Sequence, residues 1–221
     1  ELILSSPEIF FVGSTTPEGH FPIHLKGVKR MVDKVTSYGP DVILVDTTGF
    51  VSGEGGRELK RKKIDLVCPR FILALQKDDE LEPILEQYKE NALYKTFRLP
   101  LSEQVRAKSM EERRTNRTNK FRNYFKYSAV QELAMEGVQI EGEVLDPNGA
   151  PLPLDWALKM NSLLIGLKDE MDDTLALGLT KNYFEEKKAL RLSTPLQEIQ
   201  KVKTIQLSSL RLLLLYEEEN S

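Results

Sequence analysis

The chain has 221 residues, 40% hydrophobic and 29% charged, and its 31 Lys+Arg against 34 Asp+Glu leave a formal net charge of -3. That composition excludes wholesale disorder and leaves room for one large domain or two small ones, each able to bury a core. No stretch approaches ~18 consecutive apolar residues, which excludes a membrane-spanning helix, and the single cysteine, Cys68, excludes a disulfide framework and suits a reducing cytoplasm.

In chain order, Ile9-Phe10-Phe11-Val12 reads as a short apolar strand ending at Gly13. Leu25, Val28, Val32 and Val35 recur at helical spacing through Ile23 to Val35, closed by Gly39-Pro40. Val42-Ile43-Leu44-Val45 is a continuous apolar run of the kind a buried parallel strand needs, followed by Asp46-Thr47-Thr48-Gly49 and a glycine-rich turn. A charged helix is expected from Arg57 to Leu66, a strand at Phe71 to Leu75, a helix over Glu80 to Glu90 and a strand at Lys95 to Leu99. Strands alternating with helices predict an α/β layer with a parallel sheet. A long basic helix is expected from Ser102 to Glu132.

Beyond Gly137 the texture becomes β-rich. Val138 to Leu145 alternates and stops at the turn signal Asp146-Pro147-Asn148-Gly149. Strands are expected at Leu163 to Lys168, Thr174 to Tyr183, Ala189 to Leu192 and within Thr204 to Leu215, with a hairpin turn at Glu185-Glu186-Lys187. The expected organisation is an α/β domain with a parallel sheet, flanking helices and a basic helix over residues 1–133, and a β-rich domain over 134–221.

Charge is locally asymmetric. Arg57, Lys60, Arg61, Lys62 and Lys63 form one basic cluster, and a second runs from Arg106 to Lys126. Both are compatible with a polyanion, although a solvated helix face is the commoner reason for such runs. Asp46, at the carboxyl end of an apolar strand, stands where P-loop nucleoside triphosphatases hold Mg²⁺; a capping aspartate is the alternative. Asp46-Thr47-Thr48-Gly49 also fits the D-x-x-G of GTPases, with Gln76-Lys77-Asp78-Asp79 as an imperfect base-reading motif. No G-x-x-x-x-G-K-[ST] run is present. Trp156, beside Leu152, Leu154 and Leu158, reads as a core residue, Cys68 as an inert neighbour of a strand, and His20 and His24 lack a third ligand for a metal.

Several segments, standing in family order, resemble the P-loop polynucleotide 5′-hydroxyl kinases related to the pre-mRNA cleavage-complex and ribosomal-RNA processing kinases. They are Phe11 to Gly19, with Thr15-Thr16-Pro17; Asp46-Thr47-Thr48-Gly49-Phe50-Val51; Gly56 to Ile64; Ala74-Leu75-Gln76 with Glu80-Leu81-Glu82; and Arg106 to Phe125. The tail matches more weakly, through Leu164-Ile165-Gly166-Leu167 and Leu192-Ser193-Thr194-Pro195. The resemblance implies transfer of the ATP γ-phosphate to the 5′-hydroxyl of RNA or DNA, with ATP and Mg²⁺ as cofactors. It implies Arg113 and Arg117 as the R-x-x-x-R lid that clamps the phosphoryl group, and Asp46 as the metal carboxylate. Thr15 and Thr16 would line the acceptor strand, Lys60, Arg61, Lys62 and Lys63 would track nucleic-acid backbone, and Gln76 would lie near the nucleotide base.

The family's phosphate loop and activating carboxylate would precede Glu1, so the expectation is a C-terminal part, inactive alone. Its partners would be the missing N-terminal segment or, through self-association, another copy. A GTPase or GTP-binding regulator, and a non-catalytic RNA-processing subunit, remain the alternatives.

Overall fold

The computed structural model describes residues 8–106 and 108–212. They form a mixed α/β protein with one parallel and one largely antiparallel sheet, dividing into two compact units: residues 16–106, and residues 8–15 together with 108–212. The basic helix therefore sits with the β-rich part, and the expected boundary at 133/134 does not coincide with this division. The last residues of the expected Thr204 to Leu215 strand lie outside the described residues.

In the α/β unit, helix α1 spans Phe21–Ser37, with Pro22 in its first turn, where a missing N–H costs nothing. Helix α2 spans Gly53–Val67 and ends on Cys68 in the left-handed region (φ 47°), whose N–H caps the Ile64 carbonyl. Gly56 is required near its start, because a Cβ there would meet the Val51 carbonyl carbon at 2.7 Å. Strands β1 (Phe71–Gln76) and β2 (Lys95–Pro100) pair in parallel, joined through α3 (Glu82–Leu85) and a single 3-10 turn at Glu86–Tyr88. The Tyr88 hydroxyl donates to Asp65 Oδ1 (2.8 Å), tying that turn to α2, and burial with this bond raises its pKa. The helix expected over Glu80 to Glu90 is thus broken into two short pieces.

Val42 to Val45 is the main departure in this unit. The run joins no ladder among the described residues, and its side chains are 80, 37, 82 and 39% exposed in order. β-branched residues favour extended backbone, but a buried strand also needs neighbours on both edges and a cover on both faces.

In the β-rich unit, α4 spans Met110–Phe125, α5 spans Leu154–Lys159, and the strands are β3 (Ala129–Ala134), β4 (Gln139–Glu141), β5 (Leu164–Lys168), β6 (Thr174–Phe184), β7 (Ala189–Thr194) and β8 (Thr204–Gln206). They make a sheet in the order β3-β7-β6-β5-β8-β4, antiparallel except where β4 meets β8. The long helix expected to Glu132 stops at Phe125, and Ala129 to Ala134 becomes a strand because Ala189–Thr194 offers it a full ladder. Ile9 to Val12 forms no strand; instead Phe11 is buried over Gly166, where a Cβ would come within 2.6 Å of its ring. The core gathers Leu133, Leu163, Ile165, Leu167, Leu190, Leu192 and Ile205, all buried. The expected turn forms as read: Asp146 Oδ1 accepts the Asn148 and Ala150 N–H groups, both at 2.8 Å, and Gly149 takes φ 85°. Trp156 is 64% exposed, not core; its neighbours Ala157 and Leu158 supply the buried face of a helix too short to bury more.

Candidate functional site

Helix α4 presents the arginine pair. Its start is set by a complete capping box: Ser109 Oγ accepts the Glu112 N–H (3.0 Å) while the Glu112 carboxylate accepts the Ser109 N–H (2.8 Å). Its far end is anchored by Phe121, Tyr124 and Phe125, which pack with Phe11, Leu164 and Leu179. Tyr124 also accepts the Leu177 N–H at 2.9 Å, and burial raises the Tyr124 pKa. Between the two ends, Arg113 and Arg117 are exposed and one turn apart on the same face. Arg113 Nε reaches back to the Ser109 carbonyl (3.4 Å), and Arg117 makes no hydrogen bond or ion pair among the described residues. A helix fixed at its base and bare at its tip suits groups that must meet a ligand.

In the α/β unit, Asp46, Thr47, Thr48 and Gly49 form an exposed loop. Lys60 holds it: its Nζ donates to Thr47 Oγ1 (2.5 Å) and to the Thr48 carbonyl, and it lies within electrostatic reach of Asp46. Burial, then the neighbouring Lys63 charge, depress the Lys60 pKa to about 8, against the upward pull of Asp46.

The four basic residues expected to track nucleic acid are divided by helical geometry. Gly56, Leu59 and Lys63 share the buried face of α2, with Lys60 beside them. Arg61 pairs with Glu54 (3.3 Å), and Lys62 pairs with Glu58 on the outside (2.5 Å). A continuous basic track is therefore absent. Sequence reading missed the inward pair, although the spacing of Gly56, Leu59 and Lys63 was the available signal. It also passed over His24, whose Nε2 is buried without a hydrogen-bond partner.

Gln76, at the carboxyl end of β1, is engaged on both sides of its amide: Nε2 donates to Glu82 Oε1 (2.8 Å) and Oε1 accepts the Leu81 N–H (3.1 Å). Glu82 in turn takes a two-pronged ion pair from Arg98, both contacts at 2.7 Å, which with the Gln76 bond lowers its pKa to about 2. The Lys77 and Asp78 N–H groups are taken by Glu80, so Gln76 to Asp79 forms a closed turn. Thr15 and Thr16 are both exposed, and Thr16 Oγ1 accepts the Glu18 N–H (3.3 Å). Thr15 belongs to the β-rich unit and Thr16 to the α/β unit.

Among the described residues there is no cluster of three His, Cys, Asp or Glu side chains able to cage a metal. Mg²⁺ does not require one, since it takes one or two carboxylates with substrate phosphates and water. The exposed Asp46 carboxylate fits that partial role.

The chain is similar to polyribonucleotide 5′-hydroxyl-kinases of archaea. That of Pyrococcus furiosus is 30% identical over 246 residues, covering 91% of this chain and 68% of the relative. Those of Pyrococcus abyssi and Methanocaldococcus jannaschii are 28 and 29% identical with the same coverage. The solved structure of a wild-type Clp1p–Pcf11p complex shares the fold with a TM-score of 0.66 at 18% identity, covering 93% of this chain and 56% of that one. A second Clp1p–Pcf11p structure gives 0.60, with 85 and 52% covered, so the chain spans about half the length of the solved chains it matches. Residues 1–127 match the family described as the mRNA cleavage and polyadenylation factor CLP1 P-loop. That match takes in more than half of the sequence, and the chain belongs to the CLP1 P-loop family.

Proposed function

We propose that the whole protein transfers the γ-phosphate of ATP, as its Mg²⁺ complex, to the 5′-hydroxyl of RNA. The observation that carries this reading is the exposed Arg113/Arg117 pair on a base-anchored helix, in a chain whose relatives are polyribonucleotide 5′-hydroxyl-kinases. Phosphoryl transfer asks a protein mainly for position and charge neutralisation. Bound Mg²⁺ supplies charge neutralisation between the phosphates. In this reading Arg113 and Arg117 stabilise the equatorial oxygens of the transferring group, and Asp46 holds the metal. Lys60 fixes the backbone that carries Asp46, so the carboxylate needs little reorganisation when the metal arrives. Thr15 and Thr16 contact the acceptor strand, while Gln76 shapes the turn after β1 rather than spending its amide on a base. No helix among the described residues is long and apolar enough to cross a membrane, and a lone cysteine fits a reducing compartment, read as the cytoplasm.

The test is transfer of label from γ-labelled ATP to a 5′-hydroxyl oligoribonucleotide by the whole protein. Transfer that requires Mg²⁺ and is lost on 5′-phosphorylated substrate is expected. Absence of transfer overturns the reading, and GTP hydrolysis without an acceptor would replace it with the GTPase alternative.

A further inference from the structure

A buried ammonium must be paired or else give up its charge, because desolvation costs several kcal/mol that only a counter-charge offsets. The β-rich unit follows that rule. Lys168, 1% exposed, is held by Glu141 (3.0 Å) and Asp172 (2.8 Å). The α/β unit departs from it. Lys63 is 7% exposed and has neither hydrogen bond nor ion pair among the described residues. Beside it are two more basic groups: His24, whose buried Nε2 has no partner, and Lys60, whose hydrogen bonds go only to the neutral Thr47 hydroxyl and Thr48 carbonyl. Among the described residues no carboxylate pairs with Lys63 or Lys60; Asp46 is within electrostatic reach of Lys60 and is itself exposed.

We propose that His24, Lys60 and Lys63 form a binding site for a phosphate group, entered beside the Asp46–Gly49 loop. Lys63 offers three N–H donors and His24 a fourth, from two different helices, and Lys60 adds its positive charge while it holds the loop. Several cationic donors on two neighbouring helices suit the multiple charge and several oxygens of a phosphate better than the single charge of a carboxylate. Burial and then the two lysine charges lower the His24 pKa and so favour its neutral form, while an anion beside the imidazole favours the protonated one. The site rests on the kinase reading only for the source of its phosphate: a nucleotide phosphate or an RNA backbone phosphodiester.

The experiment follows the His24 imidazole by nitrogen NMR at neutral pH, its resonance assigned by its loss in His24→Gln and with His20 as internal control. The probes are inorganic phosphate, a non-hydrolysable ATP analogue and a short 5′-hydroxyl oligoribonucleotide. A shift of His24 towards the imidazolium pattern with His20 unmoved is expected for one or both of the latter. A response to the analogue alone assigns the site to nucleotide, and to the oligonucleotide alone, to RNA. Lys63→Met should weaken that ligand on the order of tenfold or more while the melting temperature holds or rises, and Lys63→Arg should recover much of the loss. A His24 that ignores all three probes, or an unchanged dissociation constant in Lys63→Met, overturns the proposal. Phosphate transfer with an unmoved His24 keeps the kinase reading and removes the site; a moved His24 without transfer does the reverse.

Discussion

The two units solve the burial problem differently. In the β-rich unit, every residue of β5 and β8 is buried, Lys168 has two carboxylates, and Phe11 comes from the other end of the chain to cover Gly166. In the α/β unit, Phe71, Leu73 and Leu75 on one face of β1 are exposed, Phe97 and Leu99 of β2 are exposed with them, and Lys63 is buried alone. A self-satisfied unit is a stable platform, whereas exposed apolar faces and an uncompensated cation are characteristic of surfaces built to meet something else. The contrast places well-paired burial in the β-rich sheet, and the proposed function draws its ligand chemistry mainly from loops, helix ends and the α/β unit.

The sharpest way to break that assignment is through the arginine pair, which the proposed function draws from the stable unit. Arg113→Ala or Arg117→Ala should lower kcat by ~10³–10⁵-fold, the range for arginines that act on the transferring phosphoryl group, with little change in KM. Steady-state kinetics of the whole protein, with circular dichroism to confirm an intact α4, decides it. Near-normal turnover in the double mutant would remove the lid assignment.

Core substitutions test the difference in packing. Leu192→Ala, at a fully buried position of the β-rich core, should cost ~2–5 kcal/mol of unfolding free energy. Leu73→Ala, on the exposed face of β1, should cost no more than about 0.5 kcal/mol. Comparable losses in urea denaturation would show that the β1 face is covered in solution.

The two buried lysines should respond with opposite sign. Stripping the partners from Lys168 with Glu141→Gln and Asp172→Asn should destabilise by about 3 kcal/mol, the low end for orphaning a buried charge because Glu141 is half exposed. Lys63→Met should be neutral or stabilising, since it removes a charge that has no partner to lose.

The smallest effects are pH-dependent. The folded-state pKa of Lys60 lies below its ordinary value, so between about 8 and 10.5 the unfolded chain binds more protons and stability rises with pH. Lys63, lowered by burial, adds in the same direction. Lys60→Met should flatten that rise in denaturation midpoints. Glu82 runs the other way at acid pH: held low by Arg98 and then Gln76, it contributes stability present above about 4.5 and lost as pH falls towards 2. Arg98→Met should shrink that acid-side loss to the smaller part that Gln76 supplies.

Sequence alone determined the elements whose cause is local. The helix through Leu25 to Val35, the parallel strands at Phe71 and Lys95, the Asp146 to Gly149 turn and the basic spacing of Arg113 and Arg117 all follow from periodicity, turn chemistry and the 3.6-residue repeat. The family was legible too, because ordered motifs survive without their three-dimensional neighbours. Only tertiary structure decided that Ala129 to Ala134 would leave a helical pattern for the β7 ladder, or that Val42 to Val45 would join none. Local preference is worth tenths of a kcal/mol per residue, and a ladder partner or its absence outweighs it. Tertiary structure also split four consecutive basic residues into an outward pair neutralised by Glu54 and Glu58 and an inward pair facing His24. Which side of a helix is buried depends on what packs against it, and for α2 that is chiefly α1, a separate element of the chain.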